Sequence, residues 1–540
     1  MAGTYVAPGT TSMGGGMEGA ERTSREMARW SPPIISPDQQ INGLKDQADA
    51  RGRDTVQNDG YAMGALQTHR DSIVGAQYVL NAQPRWEVLK SINLGFTDAW
   101  ADEYQQWVEG RFNLLSDSPE CWFDAAGRNT LTGMLRLAIG MFLMTGEVVG
   151  TNEWLRKDPM RPFKTAVQLV SPHRLSNPRN GQDTQFLRRG VALDPFGKPV
   201  GYWFRTTHPG TWYMDQDPEE WKYVPAKLPW GRRQVIHIVE QLQPDQTRGI
   251  SEMVSALKQT RMGKKFRDVV LQNAVVNASY AAAIESELPR DVVFGALGAG
   301  GPGLGDVLGQ YMTALGEYTG SANNLALDGV KIPHLFPGTK LSLTPMGKPG
   351  GIGGDFEMSL LRHVASSLGL SYEQLSRDYS QTNYSSLRGS MGETWKYMQS
   401  RKKHVADRLA TSIYVLWLEE QINAGNIPLP AGVDKGIFYD PLAREALCAC
   451  DWIGASRGQV DEGKETEAAL ARIAGGLSTY EKECARLGED FRRIFAQRAR
   501  EKKLLEKLGL DFSQQQSAQK KPADNANQDQ PNSGDQKEPK

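Results

Sequence analysis

The chain has 540 residues, more than one hydrophobic core accommodates, so several packed regions are expected and burial suffices without disulfide staples. Its 62 Lys and Arg stand against 63 Asp and Glu, a formal charge of -1, which excludes a globally basic protein that grips DNA by counterion release. Four cysteines are too few for a disulfide framework, and a chain with 39% apolar and 23% charged residues is globular in composition, so synthesis in a reducing cytoplasm is expected.

Residues 1–35 carry glycine runs and prolines without periodicity and are expected to form a flexible N-terminal arm. No basic segment followed by an apolar core and a small-residue cleavage site opens the chain, so export is not expected. Helical stretches are expected around Ala50–Val79 and Trp100–Met144. The most apolar window, Leu131–Val149, is interrupted by Gly133, Arg136, Gly140 and Glu147, and reads as a buried helix rather than a membrane span. Strand-rich segments follow at 163–177, 190–210 and 232–244, and the turn Asp194-Pro195-Phe196-Gly197 marks a hairpin.

Two long helices dominate the second half. In Ile250–Glu285 the residues Met253, Leu257, Phe266, Val269, Val270 and Ala274 recur at helical spacing, and in Ser385–Asn423 so do Leu387, Met391, Trp395, Met398, Val405, Leu409, Ile413 and Leu416. Between them lie a glycine-rich segment with short strands and an amphipathic helix that ends at Gly369. The stretch Leu370–Tyr384 is polar and aromatic without an apolar stripe and reads as a loop joining two helices. Lys464–Gly509 is expected to hold two helices separated by Gly475-Gly476, the second opened by the capping box of Ser478 and Glu481. The tail from Ser513 has almost no large apolar side chain and is expected to be disordered. The fold class is therefore α+β, mainly helical.

Motifs that suggest catalysis fail on context. Gly298, Gly300 and Gly303 satisfy GxGxxG, but Pro302 lies inside the pattern and no strand-turn-helix surrounds it. Gly347-Lys348 is followed by Pro349, where a phosphate-binding loop needs Ser or Thr for magnesium. Gly454-Ala455-Ser456-Arg457-Gly458 matches a nucleophile elbow, yet the last histidine is His404, so a triad in the order serine, acid, histidine cannot be completed. Cys448 and Cys450 lack further zinc ligands, and the seven histidines show no metal spacing. Neither a catalytic residue, a metal nor a cofactor is expected.

Three blocks are distinctive. Gln57–Gly75, read as one helix carrying Asn58, Gly60, Ala62, Thr68 and Gly75, Leu375–Trp395 (LSRDYSQTNYSSLRGSMGETW) and Trp452–Glu501 occur in the order, and with the residue types, that resemble lambda-like siphophage portal proteins. Gln57 departs from the family pattern, where a basic residue is usual, and the glycine-rich 298–309 has no counterpart. The resemblance implies a portal fold with wing, stem, clip and crown regions, assembling, usually as twelve copies, into a ring with a central channel for double-stranded DNA. It implies a wing in 36–249, a first stem helix in 250–285, a clip in 286–354 and a second stem helix in 355–369. The channel loop is then 370–384, the long wing helix and its return 385–449, the helical crown 450–510, and the disordered tail 511–540. Arg377, Asp378, Gln381 and Asn383 would face the DNA, with Asp378 tempering the adhesion of Arg377 to phosphates. The implied function is structural: a portal at one capsid vertex, through which DNA is packaged and ejected. Its partners would be further copies of itself, the terminase large subunit, the major capsid or scaffold protein and head-tail joining proteins, with no membrane. Assembly would take place in the host bacterial cytoplasm and the product would reside in the virion. A non-ring minor head or tail adaptor is the alternative.

Overall fold

The computed structural model describes residues 29–211, 220–279, 353–458 and 461–508, with isolated positions 20, 27, 309, 312–313, 325–327 and 330–332. The expectations for most of the arm, nearly all of the clip and the tail, and for the GxGxxG and Gly347-Lys348 motifs, lie outside the described residues. The chain forms two compact units, one of 1–43, 67–249 and 388–540, the other of 44–66 and 250–387. The fold is a mixture of helix and sheet.

The two larger sheets of the first unit are both antiparallel. Glu147–Trp154 is the centre of a three-stranded sheet between Thr165–Val170 and Val235–Val239, with Val149 opposite both Val170 and His237. The second sheet orders Leu187–Arg188, Val191–Leu193, Pro199–Arg205 and Trp221–Pro225. Val149, Val170, Leu175, Val191, Tyr202, Phe204 and Val235 form one apolar cluster from these segments. The expected hairpin is present: Asp194 Oδ1 accepts from the N–H groups of Phe196 and Lys198, and Gly197 takes the left-handed φ of 80° that the turn requires.

The helical expectations hold with corrected boundaries. The first stretch is two helices, Lys45–Asn58 and Gly60–Ile73, because extended Asp59 ends one and its Oδ1 accepts from Tyr61 and Ala62 N–H groups to start the next. The second is Asp98–Ser116 and Leu131–Thr145. The latter is mostly buried, capped by Thr130 and closed by Gly146 at φ 76°. No described helix is long and apolar enough to cross a membrane.

The long helix of the second half runs as Tyr384–Arg401, a π-helical segment Lys402–Asp407, and Arg408–Ala424, with helical backbone at both joins. Met398, Val405, Leu409, Ile413 and Leu416 are buried as the periodicity predicts. Its C-terminal part enters an aromatic cluster in which Phe112 stands 5.5 Å from Tyr414, 5.2 Å from Trp417 and 5.9 Å from Trp452. Strand Cys450–Ile453 pairs antiparallel with Val79–Ala82. The terminal region then holds three helices, not two: Glu462–Ala474, Tyr480–Arg486 and Phe491–Leu508. Gly488 at φ 79° breaks the expected second helix, and its cap is Thr479, whose hydroxyl accepts from Lys482 N–H, in place of Ser478.

In the second unit the helix expected from Ile250 starts as a 3₁₀ turn, Glu252–Ser255, and is α-helical over Leu257–Ser279. It packs on Gly353–Ser367, with the Phe266 and Phe356 rings 5.6 Å apart. Arg267 ties three segments together: Asp59 at 2.7 Å, Glu357 at 3.5 Å, and the Tyr61 ring 4.9 Å below its guanidinium.

Candidate nucleic-acid interface

Residues 370–384 are set by caps at both ends. Helix Gly353–Ser367 closes in a Schellman motif, in which Leu370 N–H donates to Ala365 and Gly369 N–H to Ser366, with Gly369 at φ 64°. Leu370 is thereby buried, and Ser371 opens a capping box: its hydroxyl accepts from Gln374 N–H and its own N–H donates to Gln374 Oε1. The first third of the expected loop is therefore a short helix, Tyr372–Ser376, anchored by buried Leu375. The sequence signal for it, Ser followed three residues later by Gln, is legible in the chain.

The four predicted residues follow that helix, and all four are exposed. Arg377 terminates it with left-handed backbone, φ 60°. Asp378 turns onto Ser380, whose N–H lies 3.0 Å from Oδ1, and hydrogen bonds from the Ser380 side chain and backbone hold its carboxyl below the usual range. Asn383 is the cap of the long helix, since its Oδ1 accepts from Ser386 N–H at 2.8 Å and from the Ser386 hydroxyl at 2.6 Å. Its carboxamide oxygen is committed to holding the segment, a positioning role the sequence reading did not assign. Gln381 lies between, in the turn where Thr382 N–H donates to Tyr379. The arrangement presents a cation, a fixed anion and an amide on a short, doubly capped segment, suited to contact with a polyanion without reading bases.

The other candidate chemistries are not assembled. Ser456 follows strand Cys450–Ile453 in an irregular stretch instead of a strand-to-helix turn, and the next helix starts at Glu462. Burial raises the thiols of Cys448 and Cys450 above the ordinary range, the latter to about 11, which suppresses thiolate formation. Among the described residues no group of three or more His, Cys, Asp or Glu is placed to hold a metal ion.

Comparison with known proteins adds a separate line of evidence. A family model described as "Phage portal protein, lambda family" matches residues 23–402. The "Portal protein" of Escherichia phage N15 is 37% identical over 500 residues, covering 92% of this chain and 90% of its own length. "Portal protein B" of Escherichia phage lambda is 37% identical over 478 residues, covering 88% and 87%. Among solved structures, a chain of "Virion of native gene transfer agent (GTA) particle" aligns at TM-score 0.38 and 13% identity, covering 85% of this chain and 96% of that one.

Proposed function

The chain belongs to the lambda family of phage portal proteins, and from that premise we propose that twelve copies close into a ring at one capsid vertex. Double-stranded DNA passes through the central channel during packaging and again during ejection. The ring assembles in the host bacterial cytoplasm, docks the terminase large subunit, meets the major capsid or scaffold protein and the head-tail joining proteins, and stays in the virion. Within it, 36–249 serves as wing, the helices within 250–285 and 355–369 as stem, 385–449 as the long wing helix and its return, and 450–510 as crown. Residues 370–384 line the channel, where Arg377, Asp378, Gln381 and Asn383 meet the DNA.

The observation that carries the ring is apolar surface on helix Leu257–Ser279. Met262, Val269, Leu271 and Val275 are between 53% and 65% exposed in the single subunit. At helical spacing Met262 and Val269 lie on one side of this rod and Leu271 and Val275 on the opposite side, so exposed apolar area faces two directions, as a subunit with a copy on either side requires. Electron micrographs and sedimentation of the purified full chain test the reading. Rings of twelve with an axial channel are expected; a monomer, or an assembly without a channel, overturns it in favour of a non-ring head or tail adaptor.

A further inference from the structure

A cavity of about 400 Å³ lies in the first unit, and no residue of 370–384 lines it. One wall is the hairpin between strands Trp221–Pro225 and Val235–Val239. There Lys227 and Arg233 sit opposite one another across an isolated antiparallel bridge, and Gly231 at φ 92° closes the turn. Directly opposed residues share a face, so both cations point the same way. The other walls come from the long helix, which supplies Arg408, and from helix Pro441–Leu447, which supplies Arg444. Exposed Trp230 stands at the lip.

The charges of this lining divide into two sets. Arg232 holds Glu419 at 2.6 Å, Lys402 just behind the wall holds Asp407 at 2.8 Å, and Lys403 stands 3.8 Å from the same carboxylate. Lys227, Arg233, Arg408 and Arg444 make no ion pair of this kind among the described residues, and Glu445 is the remaining acidic residue of the lining. Four cations thus face one carboxylate. Their proximity is costly: burial, then Arg233 and Arg444, lower the Lys227 ammonium below its ordinary range, and burial, then Arg408, do the same to Arg233. The π-helical segment Lys402–Asp407 forms part of the same wall, and such interruptions of a regular helix concentrate at functional sites.

We propose that this cavity binds a phosphoryl group, supplied either by a free polyphosphate or by a nucleic-acid backbone. A carboxylate partner brings a single charge, whereas a phosphate monoester brings about -1.5 to -2 near neutral pH and three acceptor oxygens, which guanidinium forks engage bidentately. The site is independent of the channel assignment and survives its failure.

The test uses the full chain with inorganic pyrophosphate and with a short DNA duplex, read by calorimetry and thermal unfolding. Pyrophosphate is expected to raise the unfolding temperature of the natural protein. In the double variant Arg233→Gln, Arg444→Gln that rise disappears and pyrophosphate affinity falls about tenfold or more. Without ligand the variant unfolds at no lower temperature, because like-charge repulsion is relieved. Lys227→Gln, at the exposed edge of the hairpin, gives the same loss should the double variant fail to fold. The matched charge removal Arg498→Gln, Arg500→Gln, on helix Phe491–Leu508, leaves affinity within about twofold. If the cavity variant also weakens the duplex, the backbone is the source; if it weakens pyrophosphate alone, the source is a free phosphate. The proposal is overturned if neither probe binds the natural protein, if the matched control loses as much affinity, or if a poly-aspartate peptide binds the cavity more tightly than both.

Discussion

Arg248 is 1% exposed and lies against Glu147, which is fully buried. Its guanidinium donates to both Glu147 oxygens and to the carbonyls of Pro172, Leu175 and Arg189. Arg248→Met removes that hub and leaves a buried carboxylate without its main counter-charge, so urea unfolding is expected to show a loss of about 3–5 kcal/mol. Glu109 behaves in the opposite sense. Burial raises its carboxyl to about 7, although Ala82 N–H and Gln105 Nε2 each donate to it at 2.8 Å. A carboxyl raised in the folded state keeps a proton that the unfolded chain releases, so stability falls as pH rises from about 4.5 through about 7. Thermal unfolding should show Glu109→Gln gaining on the natural protein between pH 5 and pH 8, by up to about 3 kcal/mol. Asp378 is exposed and its carboxyl is held low by hydrogen bonds from Ser380, and the proposed ring gives it a role in the assembly. Asp378→Lys is expected to leave ring yield by sedimentation unchanged, because little area is buried there, and to alter the amount of nuclease-protected packaged DNA in a salt-dependent way. Loss of rings would make the segment an interface; unchanged packaging at both low and high salt would place it away from DNA.

Elements show where local sequence decides structure and where it does not. The hairpin at Asp194–Gly197 and the buried helix Leu131–Thr145 were legible, since turn chemistry and apolar periodicity act over a few residues. The break at Asp59 and the short helix Tyr372–Ser376 rest on single caps inside otherwise helical or polar text, and the third terminal helix on the left-handed backbone of Gly488, signals of one or two residues that the surrounding periodicity outweighs. The exposed polar character of Arg377, Asp378, Gln381 and Asn383 was legible, but the capping duty of Asn383 was not. The basic cavity left no local signature, because Lys227 and Arg233 meet Arg408 and Arg444 only through the tertiary fold. Gly190 illustrates an element that rests on one backbone position. It has φ 84°, its N–H donates to Asn177 Oδ1 at 2.6 Å, and a Cβ there would lie 2.6 Å from Ser176 N. Gly190→Ala is therefore expected to cost about 2 kcal/mol, measurable as a lowered unfolding temperature.

At the scale of the molecule, chain order and spatial order diverge. The first unit is assembled from three stretches of sequence and the second from two. Strand Val79–Ala82 pairs with Cys450–Ile453, and Trp452 from that partner stacks on Tyr78 at 5.6 Å. A chain ended after Ala449 would leave a strand edge bare and the aromatic cluster short of a ring, so it is expected in the insoluble fraction, with any soluble part lacking near-ultraviolet dichroism. Asn81 Nδ2 also donates to Glu481 Oε1 at 2.6 Å, across 400 residues of sequence. A ribosome adding about 5–20 residues per second leaves that asparagine waiting roughly 20 to 80 s for its acceptor. For most of that interval, until Cys450–Ile453 is made, the nascent first unit carries an open edge strand, so the yield of folded chain is expected to respond to translation rate and chaperone supply as well as to the stability of the finished fold.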